Sequence, residues 1–233
     1  TPKPSSAASD VYKRQGHGGE FFKAGTAEPN INNAKGVATL NMLKKLASLS
    51  NPDYLTHDSE AIKVEWESGK VALMTLWASR SGTLLDDEGD AKITAATKLT
   101  GPATVGGGNI PAATLWWDGF TLAKNRSDSD AEATFIALAH AASNKKMVAD
   151  AADQAVWLVE GFVPGPKSIG VIEAVKMGAK PYPMLPQMGL MHGALGSEIV
   201  EFLQGKESAE QALKDVEAAY ISKAKEQGLS LIH

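Results

Sequence analysis

The run V-A-L-M-T-L-W at 71–77 most constrains what this chain can fold into. It is apolar except for one threonine, bounded by Gly69-Lys70 before it and Ser79-Arg80-Ser81-Gly82 after it. A run so short and so bounded is too brief for a buried helix and reads as a strand covered on both faces. Such a strand needs helices to cover it, and the preceding sequence supplies them. Val37, Leu40, Leu43 and Leu46 recur at three-residue steps in 34–49, and Asn51-Pro52-Asp53 ends that helix. A second helix is expected over 59–68, with Ile62 and Trp66 on one face and Gly69 as its stop.

The pattern continues along the chain. Residues 92–99 alternate Ile93, Ala95, Thr97 and Leu99, which predicts a more exposed strand, and 120–123 read as a short apolar strand. The glycine- and proline-rich stretches 101–111 and 161–167 read as connectors; Gly106-Gly107-Gly108 lacks the Lys-Ser/Thr of a phosphate loop. Ser129-Asp130-Ala131-Glu132 reads as a capping box opening a helix to about 142, followed by a short helix near 145–153. Residues 168–177 look helical. Pro181, Pro183 and Pro186 then make a rigid approach to a helix from about Gln187, with Met188, Met191 or His192, Leu195, Ile199 and Phe202 on one face. Ser208-Ala209-Glu210-Gln211 opens a last helix that buries Leu213, Val216 and Tyr220. Strands interspersed with helices argue an α/β protein.

Composition limits the chemistry. The 233 residues carry a net charge of −4, which leaves no electrostatic footprint for nucleic acid. The absence of cysteine excludes disulfides, thiolate metal sites and a cysteine nucleophile. The five histidines show no metal-ligand spacing, and no Gly-x-Ser-x-Gly elbow is present. Neither a metal nor a cofactor is expected. The ends read differently from the rest: Ser6 to Gln15 and Leu229 to His233 resemble translated sequencing-adaptor sequence at the ends of a metagenomic fragment, and 1–15 and 230–233 are set aside as non-native. With no initiator Met, the native N-terminus and any signal sequence are expected to be missing.

The segment A-A-T-L-W-W-D-G-F-T-L-A-K-N at 112–125 carries the functional signal. Two adjacent indoles offer flat faces, Asp118 offers acceptors, and Gly119 lets backbone approach a ligand closely. The combination suits a polyhydroxylated ligand such as a sugar. Two core tryptophans beside an Asp-Gly turn would produce the same residues.

The chain resembles the extracellular solute-binding proteins of ABC transporters, in the sugar-binding branch related to maltose-binding protein. The resemblance rests on E-S-G-K-V-A-L-M-T-L-W-A-S at 67–79, W-W-D-G-F-T-L-A-K-N at 116–125, P-Y-P-M-L-P-Q-M at 181–188 and A-L-K-D-V-E-A-A-Y at 212–220. It implies a periplasmic-binding-protein-like two-lobe fold of type II, here incomplete. Residues 16–113 and 168–229 would form the second lobe, and 114–167 a remnant of a largely missing first lobe. Ligand would sit between the lobes of a monomer in the periplasm or outside the cell, with or without a lipid anchor, and permease membrane subunits would be the partner.

The resemblance also implies the site residues. Trp77 would stack on the ligand from the end of its strand, where ligands gather in open α/β sheets. Ser79 would add a donor. Of Trp116 and Trp117 one would face the ligand, Asp118 would accept bonds from hydroxyls, and Gly119 would present backbone. Met188, Met191 and His192 lie where the family points a helix start at its ligand, although methionine at helical spacing is usually core filler. Trp66 reads as helix core. Two other classes stay open: a glycosidase-like carbohydrate-active enzyme, for which one acid beside aromatics does not make a pair, and a sugar sensor serving a chemoreceptor.

Overall fold

The computed structural model describes residues 13–86, 89–116, 119–143, 145–152, 156–157 and 159–231. Contacts divide the chain into two compact units, 1–62 with 102–115 and 176–233, and 63–101 with 116–175. The lobe boundaries expected from sequence grouped 63–101 differently. In the structure the turns at 78–85 pack on Pro166–Ser168, and a Cβ on Gly170 would lie 3.6 Å from both the Ala78 Cβ and the Thr100 carbonyl.

The first unit is built on three long helices, α1 (Ala34–Ala47), α8 (Met188–Leu203) and α9 (Ala209–Glu226), which pack on one another. Asn33 caps α1 by accepting from the Lys35 and Gly36 N–H groups, and Ser208 caps α9 by accepting from Gln211. Of the apolar stripes anticipated on these helices, Leu40, Leu43, Met188, Met191, Leu195, Ile199, Phe202, Leu213, Val216 and Tyr220 are buried in the core and Val37 packs against it, whereas Leu46 is 41% exposed. Gly205, at φ +79°, turns the chain out of α8 in the left-handed region that a side chain disfavours.

The segment before α1 is tied to α9. The Glu217 carboxylate accepts from Ile31 N–H at 3.1 Å and Asn32 N–H at 3.0 Å, and Tyr220 Oη donates to the Ala27 carbonyl at 2.7 Å. Gly36 permits the closest approach in this region, since a Cβ there would sit 2.1 Å from the Ile31 carbonyl oxygen. A two-stranded parallel ladder joins β1 (Thr114–Leu115) to β2 (Lys180–Pro181), and Tyr182 N–H extends it to the Leu115 carbonyl at 2.9 Å.

The inner end of the N-terminal segment set aside from the sequence packs on the first unit. Arg14 has no exposed surface; its guanidinium donates to the Ile31 carbonyl at 3.0 Å and lies over the Phe21 ring at 5.5 Å. Gln15 donates to the Pro181 carbonyl at 3.3 Å and accepts from Thr114 Oγ1 at 2.8 Å, so it braces the β1–β2 ladder. Residues 1–12 lie outside the described residues.

The second unit departs more from expectation. Helix α2 (Ser59–Glu67) forms as anticipated, with Trp66 Nε1 donating to Thr97 Oγ1 at 2.9 Å. Lys63 lies 3.4 Å from both Glu67 and Asp86, and a short helix, α3 (Ala78–Ser81), follows 71–77. The expected strand at 92–99 is instead helix α4 (Ala91–Ala96). Asp90 caps it through Lys92 and Ile93 N–H, and Ile93 and Thr97, spaced four apart, satisfy a helix as readily as a strand. The expected strands at 71–77 and 120–123 do not form: both stretches are irregular, with a bend at Ala72, and have no ladder partner among the described residues. Helix α5 (Asp128–Ser143) is capped by Ser127, whose Oγ accepts from Asp130 N–H at 3.2 Å, two residues earlier than the capping box placed it. Helices α6 (Lys145–Asp150) and α7 (Ile169–Lys176) complete the unit.

Two substitutions test the packing of the first unit. Arg14→Leu keeps apolar volume but removes one of two donors to the Ile31 carbonyl, which keeps the Asn33 N–H at 2.9 Å, and should lower unfolding free energy by about 0.5–1.5 kcal/mol; unchanged stability in denaturant melts would count against the packing of Arg14. Gly36→Ala drives a methyl into the Ile31 carbonyl and should destabilise by about 1–3 kcal/mol, as overpacking does.

Candidate functional site

In the second unit the first candidate residues stand at the end of the 71–77 run. Trp77 ends it and starts α3, its carbonyl accepting from Arg80 N–H at 2.9 Å and Ser81 N–H at 3.0 Å. This fixes the backbone while leaving the indole 49% exposed. Ser79 is exposed on the same turn, whereas Ser81 is buried and donates to the Ala78 carbonyl at 3.0 Å. Trp116, immediately after β1, is 47% exposed. Gly119 is exposed, and a Cβ there would meet nothing within 4 Å. Trp117 and Asp118 lie outside the described residues.

The first unit holds the other three. Met188 and Met191 have no exposed surface and belong to the α1–α8–α9 core, which accounts for both as packing residues. His192, one position on, is buried but polar, and its Nδ1 lies 3.1 Å from Tyr182 Oη, with ring centroids 6.0 Å apart. Burial raises the Tyr182 phenol above its ordinary value, which keeps it protonated at neutral pH. Either group can be the donor of that bond, as the imidazole tautomer decides. Tyr182 was not among the sequence candidates. Its signal is an aromatic placed between Pro181 and Pro183, on the rigid approach to the helix that carries His192.

Other chemistry is limited. Among the described residues no three His, Asp or Glu side chains converge on a point that could hold a metal ion. Burial, and secondarily the Arg14 charge, lowers the pKa of His17. A crevice of about 530 Å³ in the first unit is walled by 19–27, Pro183, Leu185, Gln187 and 228–230 and contains none of the candidate residues. The Trp66 indole, read from sequence as helix core, is partly buried and spends its N–H on Thr97. No described helix is long and apolar enough to cross a membrane.

No family model matches the chain, and no curated protein does. Among solved structures the chain is similar to maltose-bound MalE3 of T. maritima, with a TM-score of 0.75 at 16% identity over 92% of this chain and 56% of that one. The likeness establishes the fold: a mixed helix-and-sheet architecture of the maltose-binding-protein kind, present in part. The chain spans little more than half the length of the structure it matches.

The exposures separate the tryptophans by quencher access. Trp77→Phe and Trp116→Phe should each remove acrylamide-quenchable fluorescence, whereas Trp66→Phe should remove emission that quenches weakly. Loss of the same quenchable fraction from all three variants would count against the placement of the two half-exposed indoles.

Proposed function

We propose that this chain is part of the substrate-binding component of an ABC importer, a receptor that takes up a sugar or sugar alcohol and presents it to membrane permease subunits. The observation that carries the reading is the fold shared with a maltose-bound protein. Two half-exposed indoles in one unit, Trp77 and Trp116, support it. An indole held half out of water at fixed backbone gives an apolar platform for the C–H face of a sugar ring.

In this reading Trp77 stacks on the ligand. Ser79, Asp118 and Gly119 supply hydrogen-bonding groups, and Trp116 or Trp117 provides a second face. Met188, Met191 and His192 would contribute from the start of their helix. Ligand would favour a closed arrangement of two lobes by binding it more tightly than the open one, and the permease would read that form. The role is binding without turnover. The protein would work outside the cytoplasm as a monomer.

Tryptophan fluorescence titrated against sugars, polyols, amino acids and oligopeptides tests the proposal, using this chain and the same chain extended by its contiguous coding sequence. A saturable response to a saccharide or polyol is expected from the extended protein, reduced in Trp77→Ala. Asp118→Asn should weaken binding by about 1–3 kcal/mol, roughly five- to a hundred-fold, with the fold retained. A response to amino acids or peptides alone would sink the carbohydrate reading. Hydrolysis of a glycoside, abolished in Asp118→Asn, would replace a receptor with an enzyme.

A further inference from the structure

The crevice of about 530 Å³ in the first unit contains none of the residues assigned to the sugar reading. Its walls are the 19–27 segment, the 183–187 approach to α8 and the chain that leaves α9 at 228–230. Gln187 is the wall residue that packing does not account for. It stands at the α8 N-cap and is only 9% exposed, yet its carboxamide caps no helix N–H and bonds to no other described residue. A buried amide is rarely left in that state, because nothing in the fold offsets its lost hydration. Facing an open crevice, the group is placed to bond a ligand. A carboxamide offers a donor and an acceptor side by side, so another amide, such as a peptide bond, complements it.

Another wall already receives chain with strand-like alternation. Gly228, at φ +70°, turns the backbone out of α9; Leu229 and Leu231 then pack against the core while Ser230 between them is exposed. Ala27 N–H donates to the Leu231 carbonyl at 3.2 Å. Pro183 and the half-exposed Leu185 add apolar surface. Lys23 pairs with Glu28, and Lys180 with Glu20 at 3.3 Å, which disfavours an ionic ligand. A sugar fits poorly too, since Phe21 and Phe22 are 3% and 8% exposed and offer no open ring face.

We propose that this crevice is a second binding site, which takes an extended apolar segment of a partner protein. One peptide unit of the segment bonds the Gln187 carboxamide, and side chains two residues apart lie against Leu185 and Leu229. Main-chain bonds supply affinity and the apolar contacts selectivity, as in other strand-docking grooves. The volume lies in the range of small-ligand pockets, about 300–1,000 Å³, so it admits a short segment rather than a folded surface. The inference does not rest on the sugar reading.

The probe is acetyl-Leu-Ser-Leu-amide, which copies 229–231, with acetyl-Asp-Ser-Asp-amide as its control. Each is titrated into the 233-residue chain while backbone amide shifts are followed by NMR. Saturable shifts at 19–27, 183–187 and 228–230 are expected from the leucine peptide and none from the control. Gln187→Leu keeps side-chain volume and removes both amide groups, and should weaken the leucine peptide about three- to ten-fold. Leu185→Asp alters an exposed position, so it should leave melting unchanged and abolish the saturable shifts. Maltose in excess should displace nothing. The absence of saturable shifts, or an affinity unchanged in both variants, overturns the proposal. Displacement by maltose also overturns it, by giving the crevice to the sugar ligand. So does a peptide response that appears only once residues 1–12 are deleted, which would assign the crevice to this chain's own N-terminal segment.

Discussion

The first unit depends on helix α9 acting as a clamp. Val216, Tyr220 and Leu213 pack its apolar side against α8, while two polar groups less than a turn apart reach the segment that leads into α1. The Glu217 carboxylate takes the N–H groups of Ile31 and Asn32, and the Tyr220 phenol gives its proton to the Ala27 carbonyl. These backbone groups occur where the chain is neither helix nor strand, so no ladder satisfies them. Arg14 donates to the Ile31 carbonyl, which also accepts from Asn33 N–H. A residue whose N–H and C=O both go to side chains from remote parts of the sequence is held as firmly as one in a sheet. Asn33 can then cap α1 in the right place.

What could be read from the sequence follows from how local the determinants are. The helices 34–47, 188–203 and 209–226 were legible because cap, stripe and stop all lie within the element. The core stripe from Met188 to Phe202 followed from three- and four-residue spacing alone. Misreadings arose where one spacing serves two structures. Ile93 and Thr97 are two strand steps apart and also one helical turn apart, and the Asp90 cap decided for helix. Ser127 and Ser129 compete to cap α5, and the earlier one captures Asp130 N–H. The roles of Arg14 and Gln15 could not be read at all, because their partners, Ile31, Thr114 and Pro181, are set by tertiary packing.

The candidate site was legible as residue types and only partly as places. Trp77 and Trp116 keep the half-exposed indoles that stacking requires. Met188 and Met191 show the ambiguity of a helix stripe, since a residue that points at the core and one that points at a ligand recur with the same period. Tyr182 was hidden because sequence reading weighs prolines as backbone devices and overlooks the side chain between them. In the structure the prolines hold that side chain where its hydroxyl meets His192.

The β1–β2 ladder ties Thr114–Leu115 directly to Lys180–Pro181. Everything from 116 to 175 therefore leaves and returns through adjacent backbone, like a passage set between parentheses. The entropy of closing a loop grows only with the logarithm of its length, so doubling such an excursion costs about 0.6 kcal/mol. Natural variation can then lengthen, shorten or exchange what stands between the parentheses with little penalty to the α1–α8–α9 core. Gln15, bonded to Thr114 on one strand and Pro181 on the other, is the rivet across that joint.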